Sequence, residues 1–398
     1  MKTLNTLILF VPLIAGLAQT ADQSAPAYFT VYNVTGDSTV SQQFVVKITN
    51  PSVIQQARAL LSIPEPERPH VRGIVVKAPS YFNAPWSFHL DPVSIGFFEI
   101  SVEVCDASTP EVDGHLTQVG EAFLPDNVWC PWSSRLLAEI PAPDNAANSL
   151  RIASAASHSE AAISPGALVS IYGQNLTDQT ENAETPAPAD TLAGITAEIK
   201  AATETDSRQL TLLLASPSQV NAMIPADMPP GPVSISLKNS SGQAFETASY
   251  VEAIAPALFV VSQNNRDYAA ATLQRVHADG TSTTESLTAV DPASGELVPV
   301  PLDFGLPSDQ LYLSLYGTGF ANSNAGALSL TLAAESTPIL FVGPQGQVAG
   351  LDQLNIPISQ SLSTQPFLDL QPIVRNPDGY PVKTNPVRIL INSSSASR

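Results

Sequence analysis

The densest group of chemically capable side chains falls between residues 89 and 106: His89, Asp91, Glu99, Glu103 and Asp106. On extended backbone side chains alternate between faces, so His89 and Asp91 project to one side, as do Glu99 and Glu103. If the two segments pair, an imidazole and several carboxylates converge as a metal site or an acid/base set. The plainer alternative is a solvated sheet face, with His89 hydrogen-bonded structurally and Asp91-Pro92 turning the chain. The plainer arrangement is the expected one, and no catalytic residue, metal or cofactor is assigned.

Two further sets concern binding. Trp86, Trp129 and Trp132 are expected as core aromatics packed on a disulfide, with a sugar-stacking platform as the alternative. Gln219, Asn221, Gln353 and Asn355 occur as Q-V-N and Q-L-N, and their amides suit sugar hydroxyls. The structural alternative, in which they pin turns or bond neighbouring backbone, is again preferred. His158 and His277 stand alone in loops and are expected at the surface. No G-x-S-x-G, H-E-x-x-H, P-loop or strand-to-helix G-x-G-x-x-G pattern occurs. Tyr316-Gly-Thr-Gly-Phe320 is glycine-rich but follows a β pattern, with no helix to receive phosphate.

The elements that position these residues read as mainly β. Among 398 residues there are 35 prolines, 44% hydrophobic and only 13% charged residues, which fits a turn-rich globular chain rather than disorder or helical bundles. The net charge is −19. Both halves are acidic and no basic patch exists, which argues against nucleic acid and anionic membranes as partners. Lys2 followed by an apolar run over 7–17 and small residues to Ala18 reads as a signal peptide at 1–18. No later stretch is apolar enough to span a bilayer, so the mature chain is expected to be secreted or on the cell surface. Cys105 and Cys130 are the only cysteines. In an exported chain they are expected to form a disulfide rather than a thiol or metal site.

Over 28–141, alternation predicts a hairpin from 28–34 and 43–49. A helix capped by Asn50 with Pro51 in its first turn follows, with strands at 70–77, 87–90 and 96–105 and a short helix over 110–119. The motifs W-S-F-H-L-D-P, E-V-C-D-A and W-C-P-W-S-S stand at Trp86 to Pro92, Glu103 to Ala107 and Trp129 to Ser134. Together with N-P-x-x-I-x-x-A-R from Asn50 to Arg58, they resemble a small secreted bacterial domain. That resemblance implies an α+β fold with one disulfide and carries no activity.

A linker is expected at 142–162, small, polar and rich in Pro, Ala and Ser. Two copies of a β-module follow, at 163–254 and 255–398. Each has a strand ending in S-[IL]-Y-G and then G-x-x-[LF], later Q-[VL]-N, a polar turn and a closing strand. The glycine is expected to permit the turn and the Leu or Phe to drop into the core. Short strands with regular turn signals predict tandem immunoglobulin-like sandwiches. The motifs Ser164-Pro-Gly166, Gln219-Val-Asn221, Ala255-Pro-Ala-Leu-Phe259, Tyr316-Gly-Thr-Gly319 and Gln353-Leu-Asn355-Ile-Pro357 resemble the Solibacter-type C-terminal domain of secreted acidobacterial proteins, itself similar to TIG/IPT domains. The polar stretches 174–175 and 216–218 and the acidic insert 177–191 depart from its pattern. The resemblance implies an extracellular, non-catalytic module. The function expected is a secreted or surface binding protein, with an N-terminal recognition domain on two spacers and an extracellular protein or polysaccharide as partner. The alternative is an extracellular enzyme or enzyme inhibitor acting through 28–141.

Overall fold

The computed structural model describes residues 26–32, 44–83, 86–100, 103–142, 150–183, 189–264, 266–321 and 323–392. The expected signal peptide and the Glu103 side chain lie outside the described residues. The architecture is mainly β, with sheets packed around three large apolar cores.

The N-terminal core is covered by a three-stranded antiparallel sheet in the order Phe44–Ile48, Ala27–Tyr32, Arg135–Ile140. Helix Pro51–Leu60 follows. Asn50 accepts the Ser52 N–H at 3.0 Å, Pro51 occupies the first turn where its missing donor costs nothing, and Ile54 and Ala57 face inward. A second sheet is built on His70–Val76, which pairs with His89–Leu90, Gly96–Phe98 and Val128–Trp129. Phe44, Phe88 and Trp129 pack at tilted and edge-on angles, with centroids 5.1 to 5.7 Å apart. Helix Thr109–Gly114 starts from a Ser108–Glu111 capping box.

The strand expected over 96–105 stops at Phe98. The chain bends at Glu99 and Ile100 and forms a 3₁₀ turn at Glu103–Cys105. The cause is the disulfide. Seven more extended residues would carry Cys105 about 23 Å past Phe98. Its partner Cys130 follows Trp129, which pairs with Gly73 in the same sheet that pairs His70 with Phe98. Cys105 and Cys130 are bonded with Cα atoms 5.2 Å apart, and the Cys130 N–H donates to the Cys105 carbonyl. The alternating face of Phe98, Ile100 and Val104 is consequently not buried: Ile100 is 85% and Val104 65% exposed.

The next core lies between two sheets. One orders Arg151–Ser154, Leu168–Tyr172, Gln219–Met223, Thr211–Ala215 and Glu181–Asn182; the other orders Arg208–Gln209, Thr196–Ala201, Gly231–Lys238 and Ala244–Val251. The last core repeats the plan. A sheet containing Ser282–Ser286, Ala271–Val276, Gln310–Thr318, Asp352–Ile358 and Phe341–Pro344 faces one containing Val260–Gln263, Arg266–Ala269, Val387–Leu390 and Phe367–Leu370. The repeat holds to the residue. Ser170 pairs with Asn221 and Tyr172 with Gln219; Ser314 pairs with Asn355 and Tyr316 with Gln353.

The glycines after those tyrosines act differently from the expectation. Neither has a positive φ. A Cβ on Gly173 would stand 2.6 Å from Leu176, and one on Gly317 would meet the Ala257 carbonyl and stand 2.8 Å from Phe320. Close packing therefore demands them, and Leu176 and Phe320 fill the cores as expected.

The stretch 142–162 is not a free spacer where it is described. Arg151–Ser154 joins the first sandwich's sheet, and Ala155 and Ala156 enter an apolar cluster with Leu168, Phe259, Tyr316 and Leu351, which links the two sandwiches.

Candidate functional site

His89 is fixed by its strand pairing to Val76, and its Nδ1 donates to the Ala78 carbonyl at 2.8 Å. Two residues on, Asp91 ends that strand and is fully buried. The pair shares a side as expected, yet it does not meet Glu99 or Asp106. Glu99 is exposed on the bend, and exposed Asp106 accepts the Trp132 backbone N–H at 3.0 Å. The bend that delivers Cys105 to Cys130 also removes Glu99 from the sheet. Convergence as a metal or acid/base set fails for that reason. Among the described residues no group of three or more His, Cys, Asp or Glu is arranged to hold a metal ion.

His89 and Asp91 face the segment between the N-terminal core and the first sandwich. The Ser159 hydroxyl donates to Asp91 Oδ2 at 2.5 Å, and Glu160 Oε2 lies 3.6 Å from His89 Nε2. Arg151 Nη1 bonds Glu160 Oε1 at 3.2 Å, and its guanidinium stacks 4.1 Å over the Tyr172 ring. Burial alone would raise the Glu160 carboxyl, but His89, Arg151 and Lys47 around it outweigh burial and hold it at about 2. Asp91 goes the other way. Burial and repulsion from Glu160 push it up to about 6, against the Ser159 hydroxyl and nearby backbone N–H groups. Burial also lowers Lys47, which Glu160 only partly offsets. His158, expected as a free surface residue, is at left-handed φ 59° and 3.3 Å from the Tyr172 hydroxyl. Burial and then Arg151 push it down to about 4. His277 lies 3.2 Å from Asp309 Oδ1.

A second contact closes the same interface: Lys77 Nζ bonds Glu252 Oε1 at 2.7 Å and sits 4.8 Å from the centre of the Tyr250 ring. Chemically, the His89–Glu160 cluster is a closed latch between modules rather than an open site. Lys47, Arg151, Ser159 and Glu160 were missed from sequence. Glu160 follows His89 by 71 residues, amid Ala and Ser, and no local signal links them.

The tryptophans separate. Trp129 is in the core, its Nε1 donating to the Ala107 carbonyl, and Trp86 is buried. Trp132 is 37% exposed, with its ring 6.0 Å from His70 and 6.1 Å from Phe98. Exposed Ile100 and Val104 lie on the segment that the disulfide ties to it.

The amides lie in strands, not turns. Gln219 Nε2 donates to Asn221 Oδ1 at 2.7 Å, and Ser170 Oγ donates to the same oxygen at 3.0 Å. Gln353 Nε2 donates to Asn355 Oδ1 at 2.7 Å, with Ser314 Oγ 3.4 Å away.

Residues 25–143 match the model of the BP-74 N-terminal domain family. No curated protein matches the chain. Among solved structures, the chain is similar to the Bacteroides ovatus mixed-linkage glucan utilization locus protein SGBP-B in complex with a mixed-linkage heptasaccharide. The identity is 14% and the TM-score 0.27, over 66% of this chain and 50% of that one. The chain thus spans about half the length of that structure.

Proposed function

We propose that this is an exported, non-catalytic binding protein. Its modules are 28–141, 163–254 and 255–398, the last two of the Solibacter-type group, and they follow a signal peptide at 1–18. The N-terminal module presents the recognition surface to an extracellular protein. Trp132 is the observation that carries this reading: the indole stands partly in solvent beside a disulfide that stiffens its loop, and Asp106 holds its backbone. A large rigid aromatic of this kind is the usual anchor of an interface. Its aliphatic neighbours Ile100 and Val104 favour an apolar protein surface over a sugar ring. The disulfide supports an oxidising, extracellular location. An enzyme in the same module would need His89 and Asp91, and both are engaged with Glu160 and Ser159.

The test is capture of partners from envelope extracts by immobilised full-length protein, with Trp132→Ala alongside. The expected result is a partner retained by the parent protein and lost by a variant of unchanged melting temperature. Equal capture by both refutes the assignment.

A further inference from the structure

The two Q-x-N segments are equivalent in sequence and register but not in exposure. Ser170, Gln219 and Asn221 are buried, and the same sheet meets the second sandwich through Leu168, Phe259 and Tyr316. Ser314, Gln353 and Asn355 are half-exposed. Asn355 Nδ2 and Gln353 Oε1 have no hydrogen-bond partner among the described residues.

An aromatic lies beside this open amide pair. Phe341 is the cross-strand neighbour of Asn355, and Gly343 that of Gln353. A Cβ placed on Gly343 would lie 3.4 Å from Phe341 Cζ, so the ring rests along the strand over the glycine. It is 42% exposed although the alternate residue Val342 packs into the core. We propose that this outer face of the second sandwich, built on Phe341, Gln353 and Asn355, binds a neutral polysaccharide.

The chemistry selects that ligand. A pyranose offers an apolar C–H face for the ring and hydroxyls that both donate and accept, which the spare amide N–H and C=O groups match. The surrounding face positions Ser314, Thr272, Tyr312 and Gln274 are uncharged, on a molecule of net charge −19. That combination gives no attraction for an anionic chain. Phe341 and Leu340 are the exposed apolar groups here, too little apolar surface for a second copy. The face also runs into an established interface: Tyr316, paired with Gln353, is buried between the sandwiches and walls one end. This site stands apart from Trp132.

Affinity electrophoresis of the full-length protein tests it, in gels containing dextran, galactomannan, xyloglucan or laminarin, with polygalacturonate as the anionic comparison. Retardation is expected in at least one neutral gel and not in polygalacturonate. Phe341→Ala and Asn355→Ala should each weaken it by about tenfold or more, Phe341→Trp should restore it, and Trp132→Ala should leave it intact. Phe341 is exposed, so its removal should keep the melting temperature within about 2 °C. Absence of retardation in every neutral gel overturns the proposal. So does retardation that survives Phe341→Ala, or a change of oligomeric state by light scattering in that variant, which would assign the face to a second copy.

Discussion

Replacing Glu160 by Gln removes the one anion that His89, Arg151 and Lys47 share while nearly preserving its shape. The fall of this carboxyl from 4.5 to about 2 corresponds to about 3 kcal/mol in favour of the ionised form in the folded state. Because the folded value is depressed, that stability is fully present above pH 4.5 and is lost as pH falls through about 2. The substitution should therefore cost about 3 kcal/mol at pH 7, in the range for breaking one side of a buried ion pair. The cost should shrink steadily as pH falls from 4.5 towards 2. All three tryptophans lie in the N-terminal module, so urea unfolding followed by their fluorescence reports the module that the latch holds. Two results would refute the reasoning: a loss below about 1 kcal/mol at pH 7, or an equal loss across the acid range.

Asp91→Asn should stabilise at pH 7. The folded carboxyl is raised to about 6, so its contribution is favourable below pH 3.8 and is lost as pH rises through 6. Asn keeps an acceptor for Ser159, and the gain, up to about 3 kcal/mol, should vanish near pH 3.8 in the same fluorescence titration. Replacing both Cys105 and Cys130 by Ser opens a loop of sequence separation 25, which should cost about 3.5 kcal/mol in the chain-entropy account and is read from denaturant midpoints. Gly317→Ala drives a methyl into the Ala257 carbonyl and Phe320. It should destabilise by about 1–3 kcal/mol, which calorimetry measures, whereas Gly242→Ser, in open space but at positive φ, should cost about 1 kcal/mol.

Much of the molecule was legible in the sequence because it depends on neighbours along the chain. Asn50-Pro51 set the helix start, alternation marked the strands, and an even pair of cysteines in an exported chain marked the disulfide. The spacing of S-[IL]-Y-G and Q-x-N marked the tandem repeat, whose register the structure reproduces residue for residue. Other features depended on contacts that periodicity does not encode. Alternation from Phe98 to Val104 reads as a strand, but covalent closure to Cys130 bends the chain and leaves Ile100 and Val104 in solvent. The stretch 142–162 has a linker's composition, yet strand pairing and the latch consume Arg151, Ser159 and Glu160. His89 and Asp91 stand on one side, as two-residue spacing requires. Only tertiary docking decided that Glu160 and Ser159 would meet them there. Backbone sterics fix which way a side chain points, while the charge that meets it is set by a module folded from distant sequence.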